Sequence, residues 1–130
     1  MRDIKYRGMC LYNYGTWFYG LLANPKVDLK NVKAGWYISN SAGMPFAYAV
    51  RPETIGQCIC LKDKNDKEIY EGDVVFAQHG ESYMGAREYT KRIYVKDLIE
   101  DTFALSHYED LLLLGNIYEN PELIKESKDV

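Results

Sequence analysis

Residues 57–74 read QCICLKDKNDKEIYEGDV, and no other stretch of the chain limits the fold as tightly. Two apolar segments, around Ile59 and around Ile69, flank a wholly polar stretch at 62–68, which is the pattern of two strands joined by a hairpin turn. Asn65 is suited to the positive φ that such a turn needs. The chain then re-enters a sheet through Ile69 and Tyr70, turns at Gly72, and continues through Val74, Val75 and Phe76. Glycine permits the sharp corner, and Asp73 offers acceptor oxygens to nearby backbone N–H groups. A short strand, a Gly-Asp turn and a β-branched strand is a frequent sequence in small SH3-like barrels.

Strand periodicity extends beyond this run. Ile4 and Tyr6 alternate with Lys5 and Arg7, Phe46, Tyr48 and Val50 with Ala47 and Ala49, and Cys58 and Cys60 with Gln57, Ile59 and Leu61. Gly15, Gly20, Asn24-Pro25, Gly35, Gly43 and Pro45 divide the N-terminal half into short pieces, and 21–33 holds a loop or one short helical turn. Beyond a polar loop at 78–88, strands are predicted at 89–96 and 102–105, and an apolar segment at 111–117 breaks at Gly115. The tail reads as a helix: Asn120 fits the N-cap, Pro121 the first helical position, and Glu122 the positive end of the dipole. Leu123 and Ile124 would dock on the body while Lys125, Glu126 and Lys128 face water.

These segments carry a resemblance. The run 57–74, together with GNIYENPEL at 115–123, RDIKYRG at 2–8, WFYG at 17–20 and PETIGQ at 52–57, resembles the YopX family of phage and prophage proteins over nearly the whole chain. The resemblance implies a phage or prophage context and a small barrel in this region, and it implies no biochemical activity. Related sequences usually have Asn-Gly where this chain has Asn65-Asp66, so the hairpin tip is strained or its loop longer. They often have Tyr and Gly at the positions of Cys58 and Cys60, which speaks against a ligand role shared by the family.

The remaining composition excludes several classes of function. The chain has 130 residues, net charge −3, and apolar runs, the four leucines at 111–114 among them, far too short to span a bilayer. With no basic-then-apolar start and an odd number of cysteines, Cys10, Cys58 and Cys60, the expectation is a bacterial cytoplasmic protein with reduced thiols. Acidity argues against a protein devoted to neutralising phosphates. Charge is divided unevenly, with 7 basic and 3 acidic side chains in residues 1–57 against 9 and 16 in 58–130. Such a split suits one subunit's basic face meeting another's acidic face.

Candidate chemistry is sparse. Zinc would draw on Cys10, Cys58 and Cys60 with His79 or His107, but a C-x-C pair on a strand lacks knuckle spacing, so no metal is expected. Ser106 and His107 are neighbours that would face opposite sides of a strand, a poor nucleophile and base. Glu68, Glu71 and Asp73 form an acidic cluster, but the Gly72 turn separates them, and Asp73 reads as a turn cap. No cofactor motif is present, and the chain is read as a non-enzyme.

Aromatic residues are the compositional outlier, with 12 Tyr, 4 Phe and 2 Trp. They supply contact area with a polar tip, which suits protein interfaces. The expected architecture is mainly β: an N-terminal β-rich extension at 1–56, then an SH3-like small barrel at 57–130 closed by a short C-terminal helix. Candidate interface residues are Trp17, Tyr19, Trp36, Tyr70, Tyr118 and Glu119. Gly56, Gly72, Asp73, Gly115, Asn120 and Pro121 form the turn signature. The expected role is a homo-oligomeric phage or prophage accessory protein that binds a host or phage protein. The alternative is a nucleic-acid-associated barrel using Arg2, Lys5 and Arg7; a carboxylate decoy for a host nucleic-acid-binding protein is a third reading.

Overall fold

The computed structural model describes residues 4–78, 90–108 and 110–124, with only the backbone considered at Thr90 and Lys91. It divides into two compact units, Met1–Cys58 and Ile59–Val130. Strands dominate both, and all their named pairings are antiparallel, so the fold is mainly β. His79, the 78–88 loop beyond Gln78, Arg2 and the tail residues Lys125, Glu126 and Lys128 lie outside the described residues.

In the first unit, β1 (Tyr6–Met9) and β2 (Trp17–Gly20) form a hairpin with Tyr6 opposite Gly20 and Met9 opposite Trp17. The 21–33 segment contains no helix: β3 (Leu22–Ala23) joins β4 (Tyr37–Ile38) and β5 (Tyr48–Ala49) in the order β3-β4-β5. A 3₁₀ turn, Pro52–Thr54, precedes β6 (Gly56–Lys62), whose Gly56 and Gln57 pair with Arg7 and Tyr6. Thr54 ties that turn to β1: its Oγ1 accepts from Met9 N–H at 2.9 Å and donates to Arg51 O at 2.7 Å. Met9, Ile38, Val50 and Cys58 are buried. Packing is tight enough that a Cβ on Gly8 would sit 2.8 Å from Val50 Cβ, and Phe18 stacks on Tyr48 at 3.9 Å.

In the second unit, β7 (Glu68–Tyr70) neighbours β6, and β8 (Asp73–Gln78) lies between β9 (Thr90–Tyr94) and β10 (Asp110–Asn116). Among the described residues these strands form no closed barrel. The core is Ile59, Ile69, Val75, Ala77, Val95, Leu105 and Leu111. Gly72, at φ +96°, makes the corner between β7 and β8.

Several expectations are corrected here. The 102–105 segment is not a strand but part of α1 (Glu100–Leu105). Asp97 Oδ1 accepts from the N–H groups of Ile99 and Glu100, while Asp101 Oδ2 accepts from those of Lys96 and Asp97, so two carboxylates satisfy donors that open a helix. Ser106 and His107 therefore follow a helix, and both contact the Phe103 carbonyl, at 2.6 and 2.8 Å. Positive φ at the hairpin tip falls on Asp66 (+66°) and not on Asn65. Cys60 also has positive φ, which breaks the alternation: Cys58 and Ile59 are consecutively buried and Cys60 is exposed. The break near Gly115 is a register shift between Leu113 and Gly115 against β8. Gly115 is there for space, since a Cβ would run into the Asn120 carboxamide.

Residues 122–124 are helical, with Leu123 and Ile124 half-buried. Asn120 does not cap this turn with its side chain. Its Oδ1 faces back to Asn116 N–H at 3.4 Å, while its backbone carbonyl accepts from Leu123 N–H. Arg92 Nη1 donates to Leu123 O at 3.0 Å and helps fix the segment.

Candidate functional site

The densest display of aromatic side chains is on the β1–β2 hairpin. A turn between the strands carries Tyr12 and Tyr14, 80% and 64% exposed, and Tyr19 on β2 is 50% exposed. Trp17 and Tyr19, two residues apart on a strand, share one face of it. Beneath Trp17 lies Arg7, buried, its guanidinium carbon 4.7 Å from the ring centroid. Arg51 sits 5.5 Å from the Tyr14 ring and donates from Nε to Cys10 O at 3.0 Å. The two guanidinium groups thus back Trp17 and Tyr14, while Tyr12, Tyr14 and Tyr19 remain exposed. Rigid rings with polar tips bind protein surfaces at low entropic cost.

The other sequence-predicted residues are dispersed. Trp36 is half-buried just before β4. Tyr70 is 3% exposed and presents no surface, because the buried Asp73 carboxylate accepts from Tyr70 N–H at 2.8 Å and holds the strand end inside. Tyr118 is half-buried and Glu119 exposed, in a turn organised by Asn116. Asn116 Oδ1 accepts from the N–H groups of Tyr118 and Glu119, and its Nδ2 donates to Glu119 Oε1 at 3.3 Å, so Glu119 has a structural use. Arg7, offered for phosphate contact, is buried.

Residues 5–125 match the family described as YopX protein. The chain belongs to the YopX family. No curated protein matches it. Among solved structures, the crystal structure of protein EF1440 from Enterococcus faecalis is similar, at 21% identity over 94% of this chain and 98% of that one, with a TM-score of 0.45.

Two further features of this YopX protein escaped sequence reasoning. Asp63, read only as part of a polar turn, is buried and accepts three backbone N–H bonds: Asn65 and Lys67 at 2.9 Å on Oδ1, and Leu113 at 3.0 Å on Oδ2. Burial pushes its carboxyl up, but those bonds and the nearby Lys67 charge outweigh burial and hold it below the ordinary 3.8. The spacing Asp63-x-Asn65-x-Lys67 is the signal that a side chain folds onto its own turn.

Beside it opens a cleft of about 300 Å³ lined by Leu61, Lys62, Asp63, Leu105, Tyr108 and Leu111 among others. Asp63 spends both oxygens on backbone donors, and Lys62, Lys64 and Asp110 share the cleft wall with the apolar side chains. Among the described residues no group of three or more His, Cys, Asp or Glu side chains is placed to hold a metal ion, and no helix is long and apolar enough to cross a membrane.

Proposed function

We propose that this YopX protein is a non-enzymatic interaction module of a phage or prophage, acting in the bacterial cytoplasm and recognising a host or phage protein through the aromatic β1–β2 hairpin. The observation that carries this reading is the outward set Tyr12, Tyr14 and Tyr19, backed by Trp17 over Arg7 and by Arg51 against Tyr14. Interfaces concentrate binding energy in such aromatic and arginine residues, provided they are held in place before the partner arrives. Arg7 and Arg51 supply that support. The alternative, nucleic-acid binding through Lys5 and Arg7, is weakened because Arg7 lies inside.

Trp17 is a poor probe because its loss would uncover Arg7. A better one is the combined variant Tyr12→Ala, Tyr14→Ala, Tyr19→Ala, whose side chains are exposed. Affinity capture from nuclease-treated host lysate, with far-UV circular dichroism on the same preparations, should recover a protein with the wild type and lose it with the folded triple variant. Equal recovery by both would overturn the aromatic hairpin as the site.

A further inference from the structure

Residues 25–35 of the first unit form an ordered loop. Gly35 N–H donates to Pro25 O at 3.1 Å, Ala34 N–H donates to Asp28 Oδ1 at 2.8 Å, and Leu29 and Val32 bond to each other in both directions at 2.7 and 3.1 Å. Asn31, at φ +64°, turns the tip. The loop holds out Lys26, Lys30 and Lys33, all exposed, beside Val27 and Leu29, 67% and 46% exposed. Among the described residues none of these three ammonium groups has a carboxylate partner. A tight, hydrogen-bonded loop that exposes two aliphatic side chains among cations loses little conformational freedom on docking.

The second unit carries a counterpart. On α1, Leu105 is turned into the core, which sends Ile99 and Phe103 outward, 79% and 69% exposed and four residues apart on one helical face. Phe103 meets the His107 ring edge-on at 4.6 Å, and His107 Nδ1 donates to the Phe103 carbonyl, so this ridge is braced. Asp97, Glu100 and Asp101 lie at its N-terminal end, where Asp97 and Asp101 lock the start of the helix through backbone bonds.

We propose that the lysine loop of one copy docks on the α1 ridge of a second copy. The loop carries Lys26, Lys30 and Lys33 against one carboxylate, Asp28, and the α1 segment carries Asp97, Glu100 and Asp101 against one cation, Lys96, so the exposed apolar pairs and the net charges favour the same pairing. The halves of the chain agree in sign: 7 basic against 3 acidic side chains in residues 1–57, and 9 against 16 in 58–130. One patch meeting a different patch is a heterologous contact, so copies add head to tail into a ring or an open chain. This goes beyond the aromatic-hairpin reading and does not depend on it.

Sedimentation velocity of the full chain across about 1 to 100 µM, in about 50 and 500 mM NaCl, tests it. The wild type should gain mass with concentration and lose association at high salt. Lys30→Glu with Lys33→Glu, and separately Glu100→Lys, should each weaken association about tenfold or more, since each sets like charges together. Combining Lys30→Glu with Glu100→Lys in one chain should recover most of it, which a variant damaged in folding would not do. Tyr12→Ala with Tyr14→Ala should assemble like the wild type. A monomer at every concentration, unchanged assembly in the charge-reversed variants, or dissociation by the tyrosine variant alone would overturn the proposal.

Discussion

Cys60 and Asp66 both hold φ at +66°, in the left-handed region that glycine adopts most readily. A side chain in the left-handed region costs about 1–2 kcal/mol, less for aspartate, whose short polar group bonds locally. Cys60 is exposed, so replacing it forfeits little burial. Cys60→Gly should therefore raise stability by about 0.5–1 kcal/mol after allowing for glycine's extra freedom in the unfolded chain. A higher urea midpoint is the expected reading, and a midpoint at or below the wild type's would count against it. At Gly8 the sign reverses: Gly8→Ala should destabilise by about 1–3 kcal/mol by pressing on Val50, and Val50→Ala in the same chain should return part of that loss in a double-mutant cycle. Positive φ was half legible. The Asn65-Asp66 pair marked a tip, but which residue takes the left-handed conformation depends on the Asp63 side chain binding the N–H groups of Asn65 and Lys67.

Between elements, Asp63 does what a strand partner would do. Its Oδ2 takes the Leu113 N–H, and Lys64 N–H donates to the Leu111 carbonyl, so the β6–β7 hairpin satisfies alternate groups along one edge of β10. Asp63→Asn should cost about 2 kcal/mol at pH 7, because a charge-assisted acceptor of three backbone bonds becomes a neutral amide. The pH dependence has a definite sign. The carboxyl lies below 3.8 in the folded protein, so its contribution is complete above the unfolded chain's ordinary value. It is lost as pH falls through the lowered folded one. Wild-type urea midpoints should thus fall more steeply below about pH 4 than those of Asp63→Asn, and parallel slopes would remove Asp63 from acid sensitivity. The hairpin itself was legible from two apolar segments around a polar turn, whereas α1 was not. Thr102 and Phe103 carry strand-favouring side chains, and four residues show no helical period. The overlooked signal was upstream, in Asp97 followed three residues later by Glu100.

At the scale of the molecule, charge and pattern change near residue 57, and the compact units divide after Cys58. What periodicity could not reveal is how β6 serves both. Cys58 is buried in the first unit, and the next residue, Ile59, is fully buried in the core of the second. The positive φ at Cys60 belongs to this strand, where alternation would have sent Ile59 to the face opposite Cys58 and Cys60. β6 runs unbroken from Gly56, which pairs with Arg7 of β1, to Lys62, so if it unfolds as one strand the two units should unfold in one transition. The chain contains its own reporter for this. Both tryptophans, Trp17 and Trp36, belong to the first unit, while Asp63 belongs to the second. In urea, Asp63→Asn should lower the tryptophan-emission midpoint by the same amount as the far-UV circular dichroism midpoint. A variant that shifts the dichroism but leaves the emission transition in place would mean that each unit stands alone, with β6 a shared boundary and not a coupling element.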